Sequence, residues 1–257
     1  MRIGVVAPSC PLKAAAAERV GDLAVGRGVE LVIHPQCFLE QGHFAGSDRQ
    51  RLEALQDAMG DESLDAIWFA RGGYGSNRIA AAAMQDLPAA ALGKTYLGYS
   101  DGGFLLAALH KAGARVAHGP MVQDVLRDGG EEAAGRALDW LASGAAASLE
   151  PELDGPAFAF NLVVLSSLMG SVLEPDFAGA EITGGEPEGI VAAAQARALE
   201  EVSGAITTTL AADNGGRLIR RTTVMRLTTT DAEGVVERTT SSRIVEREPL
   251  EASPPEG

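Results

Sequence analysis

A serine flanked by glycines occupies the segment Gly98-Tyr99-Ser100-Asp101-Gly102 of this 257-residue chain. The run 95–97 before it predicts a strand, and the apolar run 104–110 after it predicts a helix. A sharp strand-to-helix turn with Ser100 at its apex is the setting of a nucleophile elbow, which lifts the hydroxyl above the sheet. The first amides of the following helix can then stabilise a developing oxyanion. An ordinary turn between a strand and a helix is the competing interpretation of the same residues.

A second glycine-rich segment, Arg71-Gly72-Gly73-Tyr74-Gly75, follows a strand predicted at 65–70. Glycine lets the backbone approach a ligand or adopt a positive φ, and an arginine at a strand end can bind a carboxylate. The spacing differs from the Gly-x-Gly-x-x-Gly of dinucleotide sites, and no Gly-Lys-Ser/Thr of a phosphate loop is present. We therefore interpret the loop as part of a ligand site, with a tight turn bearing a surface arginine as the alternative.

Strand and helix signals alternate along the first 120 residues. Strands are predicted near 3–7, 29–35, 65–70, 95–97 and 115–117, and helices at 14–24, 48–59, 78–84 and 104–110. This rhythm is typical of a parallel, doubly wound sheet with helices on both faces, so the predicted class is α/β with a Rossmann- or flavodoxin-like N-terminal domain. Such sheets bind ligands at the carboxyl ends of their strands, where the loops of Arg71 and Ser100 both fall.

We place the N-terminal α/β domain at residues 1–150 and an incomplete or divergent, β-rich C-terminal domain at 151–250. The end of the chain at 251–257 is rich in Pro and Glu, and we expect it to be disordered.

Composition limits the classes of partner. The formal net charge of −14 argues against binding to nucleic acid or to an anionic membrane. No apolar run reaches the length of a membrane span, and the first residues predict a strand rather than a signal peptide, so we expect a cytoplasmic protein. Cys10 and Cys37 lack the spacing of metal ligands, and we expect two free thiols, with a single disulfide as the alternative. We expect neither a cofactor nor a metal ion.

Taken in order, these motifs resemble the LD-carboxypeptidase family of serine peptidases, which includes murein tetrapeptide carboxypeptidases and microcin C immunity proteins. The similar segments cover about residues 1–178 and are 3–9, 44–51, 66–78, 97–101, 118–121, 161–170 and 175–176. The resemblance implies cleavage of the amide before a terminal D-residue in murein peptides. A small muropeptide-like peptide is therefore the expected substrate, and a homodimer is one option for the assembly.

The resemblance also implies roles for individual residues. Ser100 matches the nucleophile, and the backbone N–H groups of Gly73 and Asp101 match the oxyanion hole. The expected substrate contacts lie in the same glycine-rich loop: Arg71, Gly72 and Tyr74. We expect the carboxylate of Asp101 to cap the helix that follows it. Serine at its free pKa is a weak nucleophile that needs a neighbouring base. In the family that base is a histidine of the second domain, oriented by a glutamate.

The second half of the chain departs from this pattern. All four histidines lie in the first half, and the last of them is His118. We interpret His118 as a strand-end hydrogen-bonding residue, with replacement of the lost base as the alternative. The segment 199–203 resembles the glutamate motif and makes Glu200 the catalytic glutamate candidate, but the solvated end of a helix predicted over 190–199 explains it equally well.

From residue 205 onward the resemblance ends, and strand-like runs follow at 218–227 and 234–245. The sequence leaves open whether this part is divergent, truncated or shifted in reading frame.

We predict an LD-carboxypeptidase-like serine hydrolase whose activity is impaired by the loss of the second-domain histidine. A catalytically inactive homologue that binds muropeptide-like ligands is the main alternative. An unrelated α/β binding domain, in which Ser100 marks only a turn, is the third. A base within hydrogen-bond reach of Ser100 would separate the first two.

Overall fold

The computed structural model describes residues 1–149, 157–177, 180 and 182, and the backbone alone of 181, 183–184, 191–192, 203–213, 218–230 and 235–244. The strands are β1 (Arg2–Val6), β2 (Glu30–Ile33), β3 (Ala66–Phe69), β4 (Thr95–Gly98), β5 (Arg115–His118), β6 (Ala157–Phe160), β7 (Glu181–Gly184), β8 (Val191–Ala192), β9 (Ser203–Asp213), β10 (Leu218–Thr230) and β11 (Val235–Ile244). The α-helices are α1 (Ala14–Val25), α2 (Asp48–Gly60), α3 (Ser76–Gln85), α4 (Gly103–Lys111), α5 (Gly130–Ser143) and α6 (Leu162–Leu168).

The N-terminal sheet has the strand order β2-β1-β3-β4-β5-β8. The first five strands are all parallel, and β8 pairs antiparallel with the edge of β5. The order 2-1-3-4-5 is that of flavodoxin-like sheets, whose topological switch point lies between β1 and β3. The predicted α/β class and parallel sheet are confirmed.

Helices cover both faces of this sheet, as the alternation of side chains along β3 shows. Ile67 and Phe69 pack into one core with α2, α3 and α4. Ala66 and Trp68 point to the opposite face and pack into a second core with α1 and α5. Successive side chains of a strand point to opposite faces, so a strand buried on both sides reads as a continuous apolar run.

The second sheet has the order β11-β10-β9-β7-β6. Strand β10 pairs antiparallel with β9 and β11, whereas β6, β7 and β9 are parallel. The runs predicted at 218–227 and 234–245 correspond to β10 and β11. Phe158 and Phe160 of β6 are buried in the same core as α4, so this strand packs directly against the N-terminal layer.

The helix predicted over 190–199 is wrong at its start, because Val191–Ala192 form β8. These two residues pair with Ala117 and His118, and an edge strand of the sheet thus overrides the helical spacing. Glu200 and the tail at 251–257 lie outside the described residues, and the domain boundary near 150 stays a prediction. No helix in the part of the chain that the structure describes is long and apolar enough to cross a membrane.

Candidate active site

Ser100 occupies the turn between β4 and α4. It starts a short 3₁₀ turn, Ser100–Gly102, that runs directly into the helix. Its φ is +53°, and among the described residues no other non-glycine residue has a positive φ. A non-glycine residue in this region is strained and persists only where the surroundings hold it. The strand, the strained serine and the helix together form the geometry of a nucleophile elbow.

The glycines on either side of the turn are needed because the backbone lies against a buried ring. A Cβ on Gly98 would lie 2.6 Å from Cδ2 of Phe69, and one on Gly102 would lie 2.9 Å from Cε of Met121. Phe69 is fully buried at the end of β3. The ring therefore supports the underside of the elbow, and side chains at 98 or 102 would displace Ser100.

The glycine-rich loop after β3 lies beside the serine. A Cβ on Gly72 would approach the Ser100 Oγ to 3.4 Å. Gly73 has a φ of +121°, and a Cβ there would lie 2.3 Å from the Sγ of Cys10. The carboxyl ends of β3 and β4 thus bring the two predicted loops together, and the loop after β1 packs behind them.

An open cleft of about 450 Å³ lies over this corner of the sheet. The loops after β1, β3, β4 and β5 supply its lining: Cys10, Lys13, Arg71, Gly72, Gly73, Tyr99, Ser100, Gln123, Asp124, Leu126 and Arg127. Its size falls within the usual range for small-ligand sites. Of the predicted site residues, Ser100, Arg71, Gly72 and Gly73 line the cleft.

The cleft carries an excess of positive charge although the chain is acidic. Lys13, Arg71 and Arg127 stand against a single carboxylate, Asp124. That carboxylate pairs with Arg127 at 3.1 Å and accepts a hydrogen bond from the Tyr99 hydroxyl at 3.2 Å. Arg71 Nη1 donates to the carbonyl oxygen of Pro11 at 3.3 Å. The arrangement suits a ligand that bears a carboxylate.

Lys13, Asp124 and Arg127 were not predicted as cleft residues. They lie in segments after β1 and β5, just beyond the motif-like runs 3–9 and 118–121. Only the strand order shows that these segments meet Ser100, and no local signal in the sequence contains that order.

Tyr74 lies outside the cleft lining. Its side chain is about half exposed, and its ring centroid lies 6.1 Å from those of both His43 and Phe44. The guanidinium of Arg78 lies over the Phe44 ring at 5.4 Å. The role of Tyr74 as a substrate contact stays a prediction.

The expectation that Asp101 caps the helix after it is wrong. Its carboxylate accepts the backbone N–H of Ser76 at 2.8 Å, and Ser76 is the first residue of α3. The residue therefore satisfies the N-terminus of a neighbouring helix in space instead of its own. This contact also explains why α3 begins two residues before its predicted start at 78.

His118 faces a different cavity from Ser100. Together with Phe158, Phe160 and other apolar side chains it lines a space of about 20 Å³ between α4, β5 and β6. Its Nδ1 is buried and finds no hydrogen-bond partner among the described residues. Burial lowers the pKa of His118 from 6.5 to about 4. The cleft lining itself contains no histidine.

The family comparison agrees with this geometry. The model of the LD-carboxypeptidase N-terminal domain matches residues 3–119, which include β1 to β5, the glycine-rich loop and the elbow. Residues 3–119, a little under half of the chain, therefore match the LD-carboxypeptidase family. The match ends one residue after His118, before the second sheet begins.

Individual relatives match between about half and two thirds of this chain. The murein tetrapeptide carboxypeptidase of Pseudomonas aeruginosa is 28% identical over 120 residues, 47% of this chain and 39% of that protein. A carboxypeptidase-named protein of Synechocystis is 32% identical over 185 residues, 68% of this chain and 60% of that protein. A carboxypeptidase-named protein of Streptomyces coelicolor is 34% identical over 132 residues, 48% of this chain and 41% of that protein. The chain therefore matches between 39% and 60% of the length of these relatives.

Two solved structures share the fold. The muramoyltetrapeptide carboxypeptidase of Oxalobacter formigenes has a TM-score of 0.58 at 22% identity, over 72% of this chain and 66% of that chain. The microcin C7 self immunity protein, solved with aspartyl sulfamoyl adenosine, has a TM-score of 0.57 at 17% identity, over 71% of this chain and 67% of that chain. At these identities the likeness extends to the fold alone.

Proposed function

We propose that this chain is an LD-carboxypeptidase-like serine hydrolase that uses Ser100 to attack the amide before a terminal D-amino acid in a small muropeptide-like peptide. The observation that carries the proposal is the strained Ser100 at the mouth of a cleft, with Gly72 packed against its hydroxyl. A buried structural serine in an ordinary turn needs neither the positive φ nor the open cleft.

In this mechanism the Ser100 Oγ attacks the carbonyl carbon, and the hydroxyl proton passes to a base. The carbonyl oxygen becomes an oxyanion, which the backbone N–H groups of Gly73 and Asp101 stabilise. Fixed donors aimed at this oxygen lower the barrier more than they tighten substrate binding. The D-amino acid leaves as its amine takes up a proton, and water then hydrolyses the acyl-enzyme.

The base is the incomplete part of this mechanism. No histidine lines the cleft, and none occurs after residue 118. Without the base of a catalytic triad the serine hydroxyl stays protonated and is a weak nucleophile, so the rate falls by several powers of ten. We therefore propose that the chain as given is a slow hydrolase. The assignment of Glu200 as the orienting glutamate stays a prediction.

Substrate recognition follows from the charges of the cleft. Arg71 and Lys13 offer cationic groups to the terminal carboxylate. Gly72 has no side chain, which leaves room for the peptide backbone beside Ser100. A homodimer and a cytoplasmic location stay predictions.

The second candidate is an inactive homologue that binds muropeptide-like ligands. The absence of a histidine from the cleft lining favours it, because binding needs only the cations and the cleft shape. The two candidates share a site and differ only in whether Ser100 forms a bond to the ligand.

A pair of peptides tests whether Ser100 forms that bond. One carries a boronic acid at the position of the attacked carbonyl, and the other carries a carboxylate there. Boron forms a tetrahedral adduct with a serine oxygen without a general base, so the hydrolase should bind the boronate more tightly by about 100-fold. Ser100→Ala should weaken binding of the boronate, so that the two dissociation constants become similar in calorimetry. Equal affinities for the two peptides in the unmodified chain would support the inactive binder.

A further inference from the structure

A buried carboxylate ties together the three loops that form the candidate active site. Oδ2 of Asp101 accepts the hydroxyl of Ser9 at 2.5 Å and the backbone N–H of Ser76 at 2.8 Å. The Ser76 hydroxyl in turn donates to the Asp101 carbonyl oxygen. Ser9 and Ser76 are completely buried, and Asp101 is 4% exposed.

The three residues in these contacts belong to three different loops. Ser9 follows β1, Asp101 follows Ser100 in the elbow, and Ser76 follows the glycine-rich loop that contains Gly73. One carboxylate oxygen of the elbow therefore holds the C-terminal end of the glycine-rich loop in place. Hydrogen bonds to a charged acceptor are about twice as strong as neutral ones, and more so away from water.

A buried cation holds the same two loops from the other side. Nη1 of Arg51, on α2, donates to the carbonyl oxygens of Pro8 at 2.5 Å and of Gly75 at 2.8 Å. Burial lowers the pKa of the Arg51 guanidinium, and the carboxylates of Asp48 and, more weakly, Asp101 act in the opposite direction. The loops after β1 and β3 thus have both an anionic and a cationic anchor.

We propose that the side chain of Asp101 is a positioning residue that holds the Gly72–Gly73 backbone in register with the Ser100 hydroxyl. The effect of Asp101 on catalysis rests on the proposed function. Its effect on the position of the loops is independent of that function. The carboxylate faces Ser9 and Ser76, so it acts on the reacting atoms only through the loops that it fixes.

Hydrogen exchange at two reporter amides tests the effect on the loops. The Ala45 amide bonds to the Ser9 carbonyl and the Arg78 amide bonds to the Gly75 carbonyl, so each reports on one tied loop without touching Asp101. In Asp101→Ala we expect both to exchange about ten- to a hundredfold faster. The Gly144 amide at the end of α5 should change less than about twofold, because only local opening is affected.

Asp101→Asn is the conservative variant. Its amide oxygen can accept the same two hydrogen bonds, so both reporters should stay within about threefold of the original chain. If Asp101→Ala does not fold, Ser9→Ala carries the test, because it removes one donor and leaves the rest of the packing intact. We expect an increase of about tenfold at Ala45 in that variant.

Asp61 provides a matched control. Its Oδ1 accepts both the backbone N–H and the hydroxyl of Ser63, but on the exposed surface after α2. Ser63→Ala should leave the Ala45 and Arg78 exchange rates unchanged.

Boronate affinity separates this inference from the proposed function. We expect Asp101→Ala or Ser9→Ala to reduce the preference for boronate over carboxylate by about tenfold, and Asp101→Asn to restore most of it. Unchanged exchange at both reporters, or equal acceleration at Gly144, overturns the positioning role. Faster local exchange in a chain that never prefers the boronate upholds the positioning role and refutes the proposed nucleophile.

Discussion

The large polar cleft over Ser100 and the small, mostly apolar cavity at His118 lie at the ends of neighbouring strands but differ in size and chemistry. The cleft holds about 450 Å³ and has three cationic side chains in its lining. The cavity holds about 20 Å³ and has a mostly apolar lining. Gly98 and His118 are register partners on β4 and β5, so the two sites lie at the same level of the sheet. They differ in the side of the sheet to which the cleft and the cavity open.

This difference shows why His118, the histidine considered as a replacement base, does not complete a serine–histidine pair with Ser100. Ser100 lies beyond the end of β4, where the elbow turns it into the cleft. His118 still lies within β5, and its side chain packs beside Phe158 on the α4 side of the sheet. A neutral imidazole with a pKa of about 4 is also a poor proton acceptor near neutral pH.

The largest effect should come from Gly73→Ala, which acts on the cleft alone. The new Cβ would strain a φ of +121° and collide with the Cys10 Sγ, so the loop must move away from Ser100. A displacement of about 1 Å at such a site costs about 100-fold, which we expect in the boronate dissociation constant. Gly113→Ala is the control, since it has a φ of +96° and open space around its Cβ. Equal losses of affinity in both variants would mean that backbone strain alone is responsible.

The burial of His118 in the cavity should make the stability of the fold depend on pH. The unfolded chain keeps a histidine pKa near 6.5, whereas burial lowers that of His118 to about 4, so the unfolded state binds more protons between these values. The free energy of unfolding should therefore fall as pH drops from about 6.5 to about 4, by about 2 kcal/mol between pH 7 and 4.5. His118→Phe should remove this part of the acid loss in urea titrations at the two pH values.

The same variant tests the separation of the two sites. His118→Phe should leave peptide affinity at pH 7 unchanged, because the ring does not line the cleft. A loss of boronate affinity comparable with that of Gly73→Ala would place His118 in the active site after all.

The smallest effect should come from the cations of the cleft. Arg71→Ala and Lys13→Ala should each weaken binding of a peptide that ends in the carboxylate of a D-residue by about five- to tenfold, because partly exposed charges contribute modestly. The losses should shrink at high salt. Arg19→Ala removes an exposed arginine that pairs with Glu131 away from the cleft, and its affinity should equal that of the original chain. A peptide amide bound as tightly as the carboxylate would argue against recognition of the terminal charge.

The sequence was informative where the signal was local. The elbow around Ser100 and the loop at 71–75 depend on glycines next to a predicted strand. The local backbone geometry of such short segments can be predicted from their residues alone. The parallel sheet was predictable for the same reason, since each buried strand reads as an apolar run.

Long-range placement was not predictable from the same patterns. Asp101 caps α3 and not its own helix, and the 2.8 Å contact with the Ser76 amide that makes this possible depends on the order of β3 and β4. The position of Lys13 and Arg127 in the cleft depends on where β1 and β5 lie in the sheet, which the local sequence does not show. The pairing of Val191 with His118 likewise replaced a predicted helix with a strand.

Release of D-alanine from an L,D-tetrapeptide, compared between the original chain and Ser100→Ala, tests the central claim most directly. The account predicts a release rate far below the about 1–10³ s⁻¹ of ordinary enzymes, yet clearly above that of Ser100→Ala. Identical rates in the two proteins would contradict Ser100 as the nucleophile. Release at an ordinary enzymatic rate would contradict the claim that this cleft lacks an effective base.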